Sequence, residues 1–209
     1  MRQKLDPRKV AIIIPLYNDA ENIERAILSA LEQKLPDGYS LEVLVVDDCS
    51  TDDGYEIARR LSEQHPNLRV YKQAVNQGPS AARNFALSET DAAWFTPQDS
   101  DDFVQSERLS RLLAISLEND LDWIADNLLI SMQATPEKVE RPLWPEKPAG
   151  PVLLTAPFFV QRSFDVETPR SELGFLKPLF NRQRWGAGPQ PYRNDLRFGE
   201  DFELYTRLL

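Results

Sequence analysis

The chain has 209 residues, 42% of them apolar, with one histidine, one cysteine and a formal net charge of −9. That length suits one domain with an ordinary core, and the acidic balance argues against nonspecific nucleic-acid binding, which needs clustered cations. A lone Cys49 excludes an internal disulfide framework and fits a reducing compartment, while a lone His65 excludes any site built on two histidine ligands.

Any metal is therefore expected on carboxylates, which favours Mg²⁺ or Mn²⁺. The longest apolar runs, Val10–Pro15 and Leu41–Val46, are far too short to span a membrane. The basic N-terminus has no apolar stretch before Val10, so it does not read as a signal peptide.

In chain order, Val10–Ile14 is a β-branched run closed by Pro15 and reads as a buried strand. Asn18 or Asp19 is placed to cap a helix whose inner face is Ile23, Ala26, Ile27, Ala30 and Leu31. Leu41–Val46 is a second buried strand ending in Asp47-Asp48, followed by a helix with Ile57, Ala58 and Leu61 inward. Leu68–Lys72 is a third strand, followed by the turn Asn76-Gln-Gly-Pro-Ser and an Ala-rich helix through Leu87. Ala92–Thr96 is a fourth strand, and Ser106–Glu118 the next helix.

This alternation with near-continuous apolar strands predicts an α/β fold with a mainly parallel sheet covered by helices. Ligands of such sheets sit beyond the carboxyl ends of the strands. Three strand ends converge there: Pro15–Asn18, Asp47-Asp48, and Asp99-Ser100-Asp101-Asp102. Clustered carboxylates repel, by on the order of 4 kcal/mol for a pair about 4 Å apart at an effective dielectric near 20. The Asp99-x-Asp101 spacing suits one hard divalent ion, whereas the alternative is a solvated acidic turn.

Beyond Asp120 the alternation weakens. Trp123–Met132 is predicted as one strand, and Gln133–Pro151, with five prolines, as an exposed loop. Leu153–Phe159 is expected to return to the sheet, Trp185-Gly-Ala-Gly-Pro to turn, and Gly199–Leu209 to begin a helix. The chain then stops among apolar residues without a cap, as a shortened domain would.

Five stretches together resemble a family 2 glycosyltransferase of GT-A fold. They are Val10-Ala-Ile-Ile-Ile-Pro-Leu-Tyr-Asn, Val45-Val-Asp-Asp-Cys-Ser-Thr-Asp, Asn76-Gln-Gly-Pro-Ser-Ala-Ala-Arg-Asn, Asp99-Ser-Asp-Asp and Gly199-Glu-Asp. Gly174-Phe-Leu-Lys-Pro-Leu-Phe further resembles bacterial exopolysaccharide enzymes of succinoglycan type.

The resemblance implies a single catalytic domain, with a nucleotide-sugar half over 1–120 and an acceptor half over 121–209. It implies a nucleotide-sugar donor, commonly UDP-linked, and a divalent metal, Mn²⁺ or Mg²⁺. Pro15 and Tyr17 would line the nucleoside pocket and Asp48 would accept from the base. Asp99 and Ser100 would face the donor, Asp99 and Asp101 the metal. Arg83 is placed near the donor; its alternative is a surface helix arginine. Asp201 matches the family's catalytic base in an inverting displacement. Lys177, Trp185 and Glu200 are assigned to a saccharide or lipid-linked acceptor; the alternatives are contact with the diphosphate or a solvated basic face for Lys177, Arg182 and Arg184, and loop packing for Trp185.

A cytoplasmic location follows by resemblance, at the inner membrane face if the acceptor is lipid-linked; peripheral membrane association fits, and nothing sets an oligomeric state. The competing readings are a non-catalytic sugar-nucleotide-binding relative or inactive fragment and, more remotely, a Mg²⁺-binding receiver module. A dinucleotide oxidoreductase is excluded, because no G-x-G-x-x-G follows the first strand.

Overall fold

A computed structural model describes residues 4–132, 135–144, 150–163, 173–185, 188 and 190–209. A six-stranded sheet runs through it in the order β3-β2-β1-β4-β8-β5. Its parallel part is β1 (Asp6–Leu16), β2 (Ser40–Asp47), β3 (Leu68–Lys72) and β4 (Ala92–Pro97), each followed by a helix: α1 (Ile23–Leu31), α2 (Gly54–Ser62), α3 (Pro79–Glu89) and α4 (Arg108–Glu118).

The side-chain alternation of β1 explains both faces. Val10, Ile12 and Ile14 join α1, α2 and α4 in one core cluster. Ala11 and Ile13 join α3 in the other, together with α5 (Ala156–Ser163) and α6 (Glu200–Leu208). With both faces buried, a polar residue has no place along the strand middle, hence the continuous apolar run. β1 runs one residue past Pro15, which pairs with Val46 of β2. Pro15 lies beyond the last β1–β4 partners, Ile13 and Pro97, so its missing N–H leaves no ladder donor unpaired.

Register sets the site. β1 pairs with β2 up to Leu16–Asp47, and β4 ends at Pro97 opposite Ile13. The chain reverses its strand order at β1 and β4, and their carboxyl ends therefore open a crevice at the switch point.

Three expectations change in the second half. Trp123–Met132 is not one strand: β5 (Trp123–Ile124) joins the main sheet, and β6 (Leu129–Met132) pairs with β7 (Thr135–Pro142) in a separate antiparallel hairpin. The polar residues between them have other partners, since Asp126 accepts from Arg108 at 2.9 and 2.7 Å and the Asn127 amide brackets the Trp144 backbone. The predicted 133–151 loop thus contains a strand, tolerated despite its prolines because a two-stranded ribbon is all edge; residues 133–134 and 145–149 lie outside those described. Ala156–Ser163 is a helix rather than a return to the sheet, because Phe159 is buried against Phe202 and Tyr205 of α6, with ring centroids at 5.3 and 6.2 Å. The strand that does return is β8 (Leu179–Asn181), antiparallel between β4 and β5.

Candidate active site

The end of β1 and the start of the loop after β2 are stitched together by polar side chains. Asn18, in the left-handed region at φ +50°, accepts from the Thr51 amide at 2.8 Å, and its own amide donates to Ser50 Oγ at 2.9 Å. The expected Asn18 cap on α1 is thus spent elsewhere. Buried Asp48 binds with both oxygens, accepting from the Gln77 and Gly78 amides at 2.7 Å each. Its first task is to hold the turn that starts α3. The left-handed N-cap of α3, Gly78, has φ +90°; a Cβ there would lie 3.0 Å from the Arg197 guanidinium. Only glycine fits both demands.

α3 carries Arg83 inward, and the alternative of a surface arginine is corrected: its side chain is only 4% exposed. It donates to Glu200 at 2.5 Å and Asp99 at 3.0 Å, and stands 3.7 Å from Asp201. Lys177, equally buried, reaches Asp99 at 2.6 Å and Asp201 at 3.6 Å. Two cations therefore face three carboxylates contributed by β4 and by the first turn of α6, where acids also favour the helix dipole. Burial would lower the Arg83 and Lys177 pKa values, but the surrounding carboxylates outweigh it and raise both. Burial would raise Asp99, yet Lys177 and Arg83 hold it at about 2.

Asp201 behaves differently. Burial pushes its pKa up against the pull of Arg83 and Lys177. Its Oδ2 is the oxygen facing the cations, while its buried Oδ1 has no hydrogen-bond partner.

Oxygens of Asp99, Asp101 and Asp102 lie within 4.8 Å of one another. Asp102 thus joins Asp99 and Asp101 in the cluster. Burial, then the Asp99 charge, raises Asp101 and pushes Asp102 to about 6. An all-oxygen set under mutual repulsion is chemistry that fits a hard divalent cation.

Pro15, Tyr17, Asp48, Arg83, Asp99, Ser100, Lys177, Glu200 and Asp201 all line one cavity of about 890 Å³. Asp101 and Trp185 do not line it. Trp185 instead packs edge-on against Phe95 and near Phe180, at 5.1 and 5.7 Å, so its ring belongs to the core; of the turn after it, residues 186, 187 and 189 lie outside those described. Arg182 donates to the Leu87, Thr90 and Ala92 carbonyls, and Arg184 pairs with Asp120; neither lines the cavity. Arg197, Phe175 and Phe198, to which the sequence assigns no role, line it as well. No sequence signal marks them: Phe198 is exposed in the fold, which its sequence neighbours do not disclose.

The family model for glycosyl transferase family 2 matches residues 11–166. The chain belongs to that family. This family 2 chain is 36% identical to the succinoglycan biosynthesis protein ExoU of Rhizobium meliloti over 204 residues, covering 97% of the chain and 57% of the relative; it spans little more than half the length of that protein. Among solved structures it resembles S. aureus TarS 1–349 in complex with UDP-GlcNAc, with a TM-score of 0.61 and 24% identity over 96% of this chain and 52% of that one. It also resembles the mannosyltransferase PcManGT from Pyrobaculum calidifontis in complex with GDP-Man and Mn²⁺, with a TM-score of 0.56 and 23% identity over 97% of this chain and 52% of that one. These two likenesses establish the GT-A fold, and family membership displaces the receiver reading.

Proposed function

We propose that the chain is the core of an inverting, metal-dependent transferase of polysaccharide biosynthesis. It moves a hexose from a nucleoside diphosphate, taken as UDP, to a saccharide or lipid-linked saccharide. The observation that carries this reading is a single cavity that joins three parallel-strand ends to Asp201. That the TarS structure holds UDP-GlcNAc, and the PcManGT structure GDP-Man with Mn²⁺, supports the donor class and the metal.

In this reading Pro15 and Tyr17 pack against the nucleoside, and Asp48 fixes the adjoining turn while offering its remaining lone pairs to the base. Asp99, Asp101 and Asp102 would hold the divalent cation, which when bound supplies charge neutralisation for the leaving diphosphate. An acceptor hydroxyl attacks the anomeric carbon, forming the new glycosidic C–O bond as the bond to the diphosphate oxygen breaks. Its proton passes to Asp201, whose Oδ1 is free of other partners and whose raised pKa suits a base. Attack opposite the leaving group inverts the anomeric centre. Lys177 and Arg83 keep Asp201 anchored beside Asp99, and Glu200 keeps Arg83 in place.

Among the described residues no helix is long and apolar enough to cross a membrane. The test is calorimetric titration with UDP, with and without Mn²⁺. Metal-enhanced binding is expected, and no binding under either condition removes the donor assignment.

A further inference from the structure

We propose that Arg197 is the cation that receives the diphosphate of the nucleotide donor, an inference that rests on the donor reading above. Three cationic side chains line the cavity: Arg83, Lys177 and Arg197. The first two are committed to Asp99, Glu200 and Asp201. An incoming diphosphate, itself anionic, meets a cavity whose acids already outnumber those two cations. Burial of unpaired like charge is costly, so a donor needs a cation that is not already neutralised.

Among the cavity-lining side chains Arg197 meets that need, beside whatever charge a bound divalent cation supplies. Its guanidinium donates to the Asn76 side-chain carbonyl at 2.7 Å and approaches the Asn76 backbone carbonyl at 3.5 Å. Both partners are neutral, and among the described residues no carboxylate pairs with it. A guanidinium has five N–H donors in a planar fork, so the Asn76 contacts orient it without exhausting it. The remaining donors match phosphate oxygens in geometry and charge.

Its position supports the same role. The side chain lies over Gly78, and a Cβ at Gly78 would meet its Cδ at 3.1 Å. Gly78 is the N-cap of α3, which has no side-chain cap. The Gln77 and Gly78 N–H groups at that helix start are already taken by Asp48, which leaves the guanidinium to meet an anion there. Gly78, Pro79 and Asp48 line the cavity beside Arg197, which puts the cation at the nucleotide end. Arg197 belongs to the segment leading into α6, so it reaches from the element that carries Asp201 across to the turn that Asp48 holds.

The test is calorimetric titration of the wild type, Arg197→Gln and Arg197→Lys with UDP and with uridine, each with Mn²⁺ present. The side chain is exposed, so both variants are expected to fold, which circular dichroism checks. Arg197→Gln is expected to weaken UDP binding roughly 10- to 100-fold, the worth of one charged hydrogen-bonded contact. Uridine, which lacks phosphates, should bind all three proteins alike. Arg197→Lys, which keeps the charge and loses the fork, should fall between them. UDP binding to Arg197→Gln at wild-type affinity overturns the inference. An equal loss for uridine and UDP also overturns it, because Arg197 would then serve only to hold the Asn76 turn. A wild type that binds no UDP rejects the donor reading itself, so the two failures are separable.

Discussion

The two halves of the molecule are held together by different physics. Up to α4, long parallel ladders define every position: β1 and β2 pair continuously from Lys9–Ser40 to Leu16–Asp47. Beyond α4, among the described residues, the sheet gains only β8 and β5, of three and two residues. There the chain is fixed by rings and ions instead. Phe180 of β8 stacks on Phe95 and Trp123 at 5.1 and 5.5 Å, while Arg83 and Lys177 tie α6 to β4. Backbone ladders give a site its frame, and buried side-chain contacts dock Asp201 onto it.

Four substitutions or conditions would break or sharpen that contrast. Asp201→Asn should cut transfer by roughly 10²–10⁴-fold, the usual worth of a positioned base, while UDP affinity measured by calorimetry stays near wild type. Full transfer by this variant would remove the base from the second half. Phe180→Ala should cost about 3–5 kcal/mol of stability, read by urea denaturation, because it empties the joint between β4, β5 and Trp185. Asp99→Ala should cost on the order of 1–3 kcal/mol through the stranded Arg83 and Lys177, and should abolish the Mn²⁺ enhancement of UDP binding. A variant that loses stability but keeps that enhancement would leave Asp99 as a purely structural link between the halves.

The smallest effect concerns pH. A carboxyl raised to about 6 in the fold, as Asp102 is, binds its proton more tightly folded than unfolded. Its contribution therefore favours the fold below about pH 4 and is lost as pH rises through 6. Asp99, held at about 2, has the opposite sign: its contribution is present above about pH 4 and lost as pH falls toward 2. A divalent cation on the cluster should thus raise the melting temperature more at pH 7.5 than at pH 5, and Asp102→Asn should shrink that difference.

The same division explains what the sequence disclosed. Val10–Ile14 and Leu41–Val46 announce buried strands because a strand covered on both faces must be apolar throughout, and the acids that end β2 and follow β4 then fall on one edge by topology. Asp201 was reached through the family pattern, since an acid in a first helical turn is unremarkable by itself. β8 was hidden because three residues carry no periodicity, and α5 because Phe158-Phe159 alternates with nothing until α6 supplies a surface. For Trp185 the sequence leaves a sugar platform and loop packing both open, and packing against Phe95 decides for the second. Arg197 had no signal at all, because its meaning depends on Gly78 lying more than a hundred residues earlier.

The alternation of β1 also makes the core and the cavity fail together. A one-residue slip would turn Ile12 and Ile13 to each other's faces and displace Tyr17 by about 3.3 Å relative to Asp48 and Asp99. A molecule that mispairs this strand therefore loses its core and its cavity in one error. The strand acts as a built-in proofreader, because an intact cavity certifies correct assembly.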